Sequence, residues 1–400
     1  MTVQTDIRYD KTIRASFTGY IIQAIVDLYA ALLFVQFQRE FGISLARITL
    51  LVTVNFLIQL AADVLSVRLI DRAGYRVVVV SAQCLVAAGL GLMAVLPGHW
   101  ANPFAALMTA VVVCSSGGGL LEVVLSPIVE ACPTPSKDKT MSLLHAFYSF
   151  GLVIVIAGSN LFFLLFGIAN WRILTALWMI LPLANAVRFL FVPFASLIDE
   201  CSEGMPVREL LKNRLFWCFF IMMLCAGAAD EMITQWGSAL AESTLGVSKI
   251  IGDLAGPLLF AVMMGLTRLM YGRFGHRFDL RRYIAACAGL NFAAMLMIAF
   301  FSHPAVVFIG CALCGVSVSA MWPGTLSLAS SSLRRGGNAL FALLALGGDI
   351  GCSAGPSLAG FAASARGNDL QAGIAAAAVF PAALFILVLL SRRHISGGDS

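Results

Sequence analysis

Asp71-Arg72-Ala73-Gly74-Tyr75-Arg76 returns as Gly272-Arg273-Phe274-Gly275-His276-Arg277, 201 residues later in a chain of 400, and each copy lies between two long apolar segments. A duplicated membrane unit leaves such an echo. The repeat continues outward from it. Gly42-Ile43-Ser44 meets Gly246-Val247-Ser248 at an offset of 204, and Gly119, Pro127 and Gly151 meet Gly315, Pro323 and Gly347, all at 196. Small loop insertions and deletions account for the drift.

Composition sets the class. The chain is 60% hydrophobic and only 12% charged, whereas a soluble surface needs roughly 25% charged residues. Twelve apolar segments are predicted, at 17–37, 46–67, 77–96, 103–127, 140–166, 171–193, 214–240, 249–271, 283–301, 305–329, 338–362 and 371–391. Most reach the roughly 20 residues with which a helix crosses a hydrocarbon core of about 30 Å. The expected fold is an all-α membrane protein of twelve transmembrane helices in two six-helix, pseudo-symmetric halves. Residues 1–193 form the first bundle, 194–213 a polar cytoplasmic linker and 214–400 the second bundle.

Sorting the 26 Lys and Arg residues by side puts 21 with the termini and the repeated loops, and leaves Arg39, Arg47, Arg172, Lys249 and Arg366 opposite. Cytoplasmic loops carry such an excess, so both termini are expected in the cytoplasm, in the cell (inner) membrane. The net charge of +5 follows from topology and gives no ground for nucleic-acid binding. Helix 1 carries Asp27 and lacks a small-residue cleavage site, so it is expected to stay as a span rather than leave as a signal peptide. The cysteines lie mostly in apolar segments, where they act as small hydrophobic residues; neither a disulfide framework nor a metal site is expected. The partners expected are a small-molecule substrate, protons and the lipid bilayer, acting on a monomer.

An acid in mid-membrane costs about 2.5–3.5 kcal/mol on insertion scales and needs a partner, a wet cavity or a proton. Asp27, Asp63, Glu122, Asp230, Glu231 and Asp349 are such acids, and His145 joins them. Gln23 lies one turn before Asp27 on the same face, a polar stripe. The repeat offset carries Asp27 onto Glu231, with Gln235 one turn further on. Both would face a central substrate path if the halves are related by a two-fold along the membrane normal; the alternative is an acid bonded between helices. Asp230 points about 100° away from that face.

Glu122 follows Gly117-Gly118-Gly119, where missing side chains let another helix or a ligand approach the backbone, and its repeat counterpart is Val318. A carboxyl in a dry cavity favours its neutral form, which lets it load a proton on one side and release it when hydration returns. Glu122 is the first candidate for that role and Asp27 the second. His145 titrates near neutrality or packs between helices. Asp349, in the Gly-rich run 347–356, lines the path or caps a kink. Asn55, Gln59, Gln235, Tyr29, Tyr148, Trp236 and Trp322 offer hydrogen-bonding groups and flat faces for a hydroxylated solute, although each alone is more often core.

The run Leu69-Ile70-Asp71-Arg72-Ala73-Gly74-Tyr75-Arg76 resembles the G-x-L-a-D-r-x-G-r-[RK] signature of the major facilitator superfamily, with Val67 in place of its first Gly and Tyr75 in place of one basic residue. The resemblance implies a latch in which Asp71, with Arg72, Gly74 and Arg76, meets the start of helix 11 near Arg334 and Arg335. Within the superfamily, four stretches resemble the fucose permease-like sugar:proton symporters: Asp27; Gly117 to Glu122; Leu143 to Gly151 around His145; and Glu231 to Trp236. That likeness implies sugar binding at Asp27 and proton coupling at Glu122. Ser126 stands where those proteins often have Asn.

The expected function is secondary active transport: proton-coupled uptake of a small hydroxylated solute, a sugar or sugar derivative, by alternating access, with the proton gradient in place of a cofactor. The alternative is a proton-coupled exporter of drugs or metabolites. An enzyme is not expected, since no nucleophile–base pair, metal spacing or phosphate loop appears.

Overall fold

The computed structural model describes residues 3–134, 137–195, 207–274, 279–333 and 337–395. Among them twelve helices are long and apolar enough to cross a membrane. They are α1 (Tyr9–Phe41), α2 (Leu45–Ser66), α3 (Arg72–Gly98), α4 (Pro103–Ala131), α5 (Leu143–Phe166), α6 (Ile168–Phe191), α7 (Arg214–Thr244), α8 (Lys249–Tyr271), α9 (Leu280–Phe300), α10 (Pro304–Ser332), α11 (Ala339–Ala365) and α12 (Leu370–Leu390). A helix satisfies its backbone within itself, which hydrocarbon requires. Leu164, Leu165 and Phe191 are more than half exposed; a soluble protein would hide them, but lipid accepts them.

Local chemistry sets the ends. Asn102 caps α4 through Ala105 N, with Pro103 at the first turn, and Asp279 and Asp369 cap α9 and α12. The repeat is visible in the backbone. Gly42 and Gly246, which end α1 and α7, have φ of +64° and +63°, and Gly167 and Gly367, after α5 and α11, have +80° and +74°. Each is followed at once by the next span, a turn that only a residue without Cβ makes cheaply.

The signature stretch is not an open loop. Leu45–Val95 is helical throughout except at Gly74, where φ 78° and ψ 158° break the run. The single glycine therefore does the turning. Arg76 then donates to the carbonyls of Phe189 and Leu190 and, at 2.9 Å, to that of Val192, and lies 4.7 Å from the Phe194 ring centroid. It thus satisfies the orphan carbonyls at the end of α6. Arg72 is exposed. The side chain of Asp71, and Arg334 and Arg335 entirely, lie outside the described residues. Within the linker, Val207–Lys212 forms a short helix that buries Leu210.

Two compact units divide the chain: residues 1–47 with 54–199, and 48–53 with 200–400. In the first, α1 packs on α4, α5 and α6; in the second, α7 packs on α10, α11 and α12. The 48–53 segment falls with the second unit, where Thr53 and Ser357 share a 2.6 Å hydrogen bond.

Candidate functional site: a buried carboxylate network in the first unit

Asp27 is the last residue but one of a helix that stops at Leu28. A turn at 29–30 and a 3-10 stretch, Ala31–Leu33, intervene before the helix resumes at Phe34. Neither Pro nor Gly marks this break. Tyr29 pins it: the hydroxyl donates to Trp171 O at 3.2 Å and lies 2.7 Å from Thr175 Oγ1, both on α6. Such an interruption beside a buried acid is the kind of helix irregularity found at functional positions.

Three helices supply donors to the Asp27 carboxylate, which is 7% exposed. Gln59 Nε2 from α2 donates to Oδ1 at 2.9 Å, Tyr148 OH from α5 donates to Oδ2 at 3.1 Å, and Gln23 Nε2 from α1 lies 3.4 Å from both oxygens. Gln23 also donates to Gln59 Oε1 at 2.8 Å. One layer along, Ser115 on α4 donates to Asn55 Oδ1 at 2.6 Å. Gln23, Asp27 and Gln59, expected from the sequence as candidates, thus form one connected network to which Tyr148 belongs, while Asn55 pairs separately with Ser115.

The glycine run of α4 makes this closeness possible. A Cβ on Gly117 would come within 2.5 Å of Ala82 O on α3, one on Gly118 within 2.7 Å of Val26 on α1, and one on Gly119 within 2.6 Å of Gln59 O on α2. Three successive glycines thus seat α4 against three helices at once. One turn on, Glu122 is exposed and acts electrostatically on Tyr20 of α1 and Asp63 of α2. Tyr20 OH lies 2.8 Å from Ser126 Oγ on α4, and its ring meets His145 of α5 edge-on at 5.4 Å. Glu122, Tyr20, Ser126 and His145 therefore form a second polar layer.

In the second unit, Glu231 is 7% exposed and accepts from Gln235 Nε2 at 3.1 Å. Trp236 is fully buried, its Nε1 donating to Pro356 O at 2.9 Å. That places the ring in the packing between α7 and α11. The Gly-rich run of α11 is tightly packed rather than loose: Cβ atoms on Gly351 and Gly355 would run into Leu224 O and Ala228 O of α7. Asp230 lies 3.8 Å from Arg268 of α8, whose Nε also reaches Ser319 O at 3.4 Å.

Sequence reasoning passed over one buried ion pair. Lys249 Nζ donates to Asp253 Oδ2 at 2.9 Å, Ser238 donates to the other oxygen, and Asp253 is wholly buried. The signal available was the i, i+4 spacing of Lys249 and Asp253 on one face of α8.

The family model of the Major Facilitator Superfamily matches residues 16–356. No curated protein matches the sequence. Among solved structures, a bacterial homologue of the human lysosomal transporter Spinster is similar with a TM-score of 0.76 at 14% identity, covering 96% of this chain and 97% of that one. The Escherichia coli fucose:proton symporter FucP is similar at 0.65 and 18%, covering 96% and 99%. The nucleoside transporter NupG is similar at 0.75 and 12%, covering 95% and 98%. At such identities the likeness speaks for the fold. With the family match over most of its length and twelve apolar spans in a repeated six-helix arrangement, the chain is a multi-pass membrane protein that belongs to the Major Facilitator Superfamily of transporters.

Proposed function

We propose that the protein carries a small hydroxylated solute, a sugar or sugar derivative, into the cell with protons, by alternating access and without a bound cofactor. The observation that carries this reading is the Asp27 carboxylate, buried at membrane depth and held by Gln59, Tyr148 and Gln23 from three helices. A buried acid held by neutral amide and hydroxyl donors binds hydroxyls in the way sugar sites do. Asn55, paired with Ser115, and His145, against Tyr20, add polar groups on neighbouring layers of the same unit, and Glu231 with Gln235 offers a matching group in the second unit. Trp236 supports that group from within the packing.

Glu122 is the proton carrier in this reading, with Asp27 as its coupled partner. Protonation removes a charge that a dry, occluded cavity would otherwise have to seal in, so the loaded state forms only after the proton has bound. The signature residues Asp71, Arg72, Gly74, Arg76, Arg334 and Arg335 act as the conformational latch, with Arg76 also fastening the end of α6. Similarity of fold to a fucose:proton symporter and a nucleoside transporter supports a polyhydroxylated substrate. The protein works as a monomer in the cell (inner) membrane with both termini cytoplasmic.

The test is a thermal-shift screen of the purified protein against sugars, polyols, sugar acids and nucleosides, followed by uptake of the best hit into proteoliposomes under an imposed pH gradient. The reading expects stabilisation by a polyhydroxylated compound and accumulation on the alkaline side. Accumulation on the acidic side instead would identify a proton-coupled exporter, and stabilisation only by apolar drugs would overturn the substrate class.

A further inference from the structure

Asp63 is an intramembrane acid to which neither the repeat nor the family likeness gives a role. Its position follows from how α2 and α4 run. Ser115 pairs with Asn55, and Gly119 rests on Gln59 and Ala62. Each contact joins a residue of α4 to one about sixty positions earlier on α2, so the two helices run parallel and in register. One turn beyond Gln59 stands Asp63; one turn beyond Gly118 stands Glu122. The register brings the two acids to the same depth on adjoining helices. Consistent with this, Asp63 lies within electrostatic reach of Glu122 and of Asp27.

Two buried acceptors here have no donor. Asp63 Oδ1 is one; Gln23 Oε1, on a residue only 4% exposed and bonded to both Asp27 and Gln59, is the other. Two carboxylates at one depth on adjoining helices repel, and the buried oxygen of Asp63 without a donor has lost its hydration for nothing. One added proton relieves the repulsion and supplies a donor at Asp63 Oδ1. It lets one carboxyl donate to its neighbour, as in other paired acids that share a proton.

We propose that Asp63 and Glu122 form a carboxyl–carboxylate pair that holds the transported proton and links Glu122 to Asp27 through the amides of Gln59 and Gln23. Glu122 is the exposed member, through which the proton enters and leaves; Asp63 is the inner member. With one proton the pair carries a charge of −1, with two it is neutral, and only O–H bonds form and break. Facing the pair are Asp27 and Tyr20 from α1, with Tyr148 of α5 on Asp27 and His145 of α5 on Tyr20. This inference rests on the proton-coupled reading given above.

Infrared titration of the protein in lipid nanodiscs tests the pair without any solute. Asp63→Asn and Glu122→Gln should each delete one titrating carboxyl band and, by removing the like charge, lower the ratio of protonated to ionised form of the remaining acid about tenfold or more at fixed pH. Asp63→Glu should restore the coupled titration, which a merely structural role would not require. A Glu122 band that titrates identically in wild type and Asp63→Asn overturns the pair. Coupled bands in a protein whose uptake ignores the pH gradient would leave the pair standing and sink the transport reading; gradient-driven uptake with uncoupled bands would do the reverse.

Discussion

Gln59 of α2 donates to Asp27 of α1 at 2.9 Å, and both side chains are more than nine-tenths buried. The bond ties together two helices that contribute to the same hydrogen-bond network. Gln59→Leu leaves the carboxylate short of its nearest donor, and a hydrogen bond to a charged group contributes about 1.5–3 kcal/mol. Thermal unfolding of the purified protein should show a loss of that order, while Gln59→Leu combined with Asp27→Leu should lose less than the sum of the two single changes. Additive losses would mean that the two side chains do not depend on each other.

Gly119 meets the backbone of Gln59 so closely that an added Cβ would lie 2.6 Å from its carbonyl oxygen. Backbone cannot rotate away as a side chain can. Gly119→Ala should therefore cost about 1–3 kcal/mol by overpacking, and Gly119→Val more. A variant as stable as the wild type in a thermal melt would show that α2 and α4 do not approach in this way.

Gly74 has φ 78° and ψ 158° with open space where a side chain would go. The strain of Gly74→Ala is thus purely backbone, about 1–3 kcal/mol. Because it sits where the helix from α2 bends into α3, the change should lower the melting temperature and slow transport together. Transport at the wild-type rate would remove the kink from the mechanism.

Arg76 holds three carbonyls at the end of α6 and stacks on Phe194. A lysine offers one point charge and no planar fork, so Arg76→Lys should fare little better than Arg76→Ala. Limited proteolysis of the linker after α6 should quicken in both. Full rescue by lysine would reduce the contact to its charge.

Sequence and structure part company at particular residues. The twelve spans and the polar face of Asp27 with Gln23 were legible because hydrophobicity and helical spacing are local, and the paired glycines Gly42 and Gly246 were legible because a turn lacking Cβ leaves its mark in composition. The break after Leu28 was not, since packing of Tyr29 on α6 causes it and no Pro or Gly announces it. Nor was the partnership of Asp63 with Glu122, which depends on the register of two helices that are not neighbours in sequence. Trp236 reads as a candidate ring by its spacing from Glu231; its N–H bond to the carbonyl of Pro356 reaches a helix 120 residues away, which spacing along α7 does not announce.

The central claim is that Glu122 couples solute to proton. With the hit from the solute screen in radiolabelled form, wild type and Glu122→Gln are reconstituted and compared for accumulation under an inside-alkaline gradient and for counterflow without one. The account predicts that the variant loses accumulation but keeps counterflow, since the neutral amide mimics the protonated carboxyl and spares the exchange step. Undiminished accumulation by Glu122→Gln would contradict it.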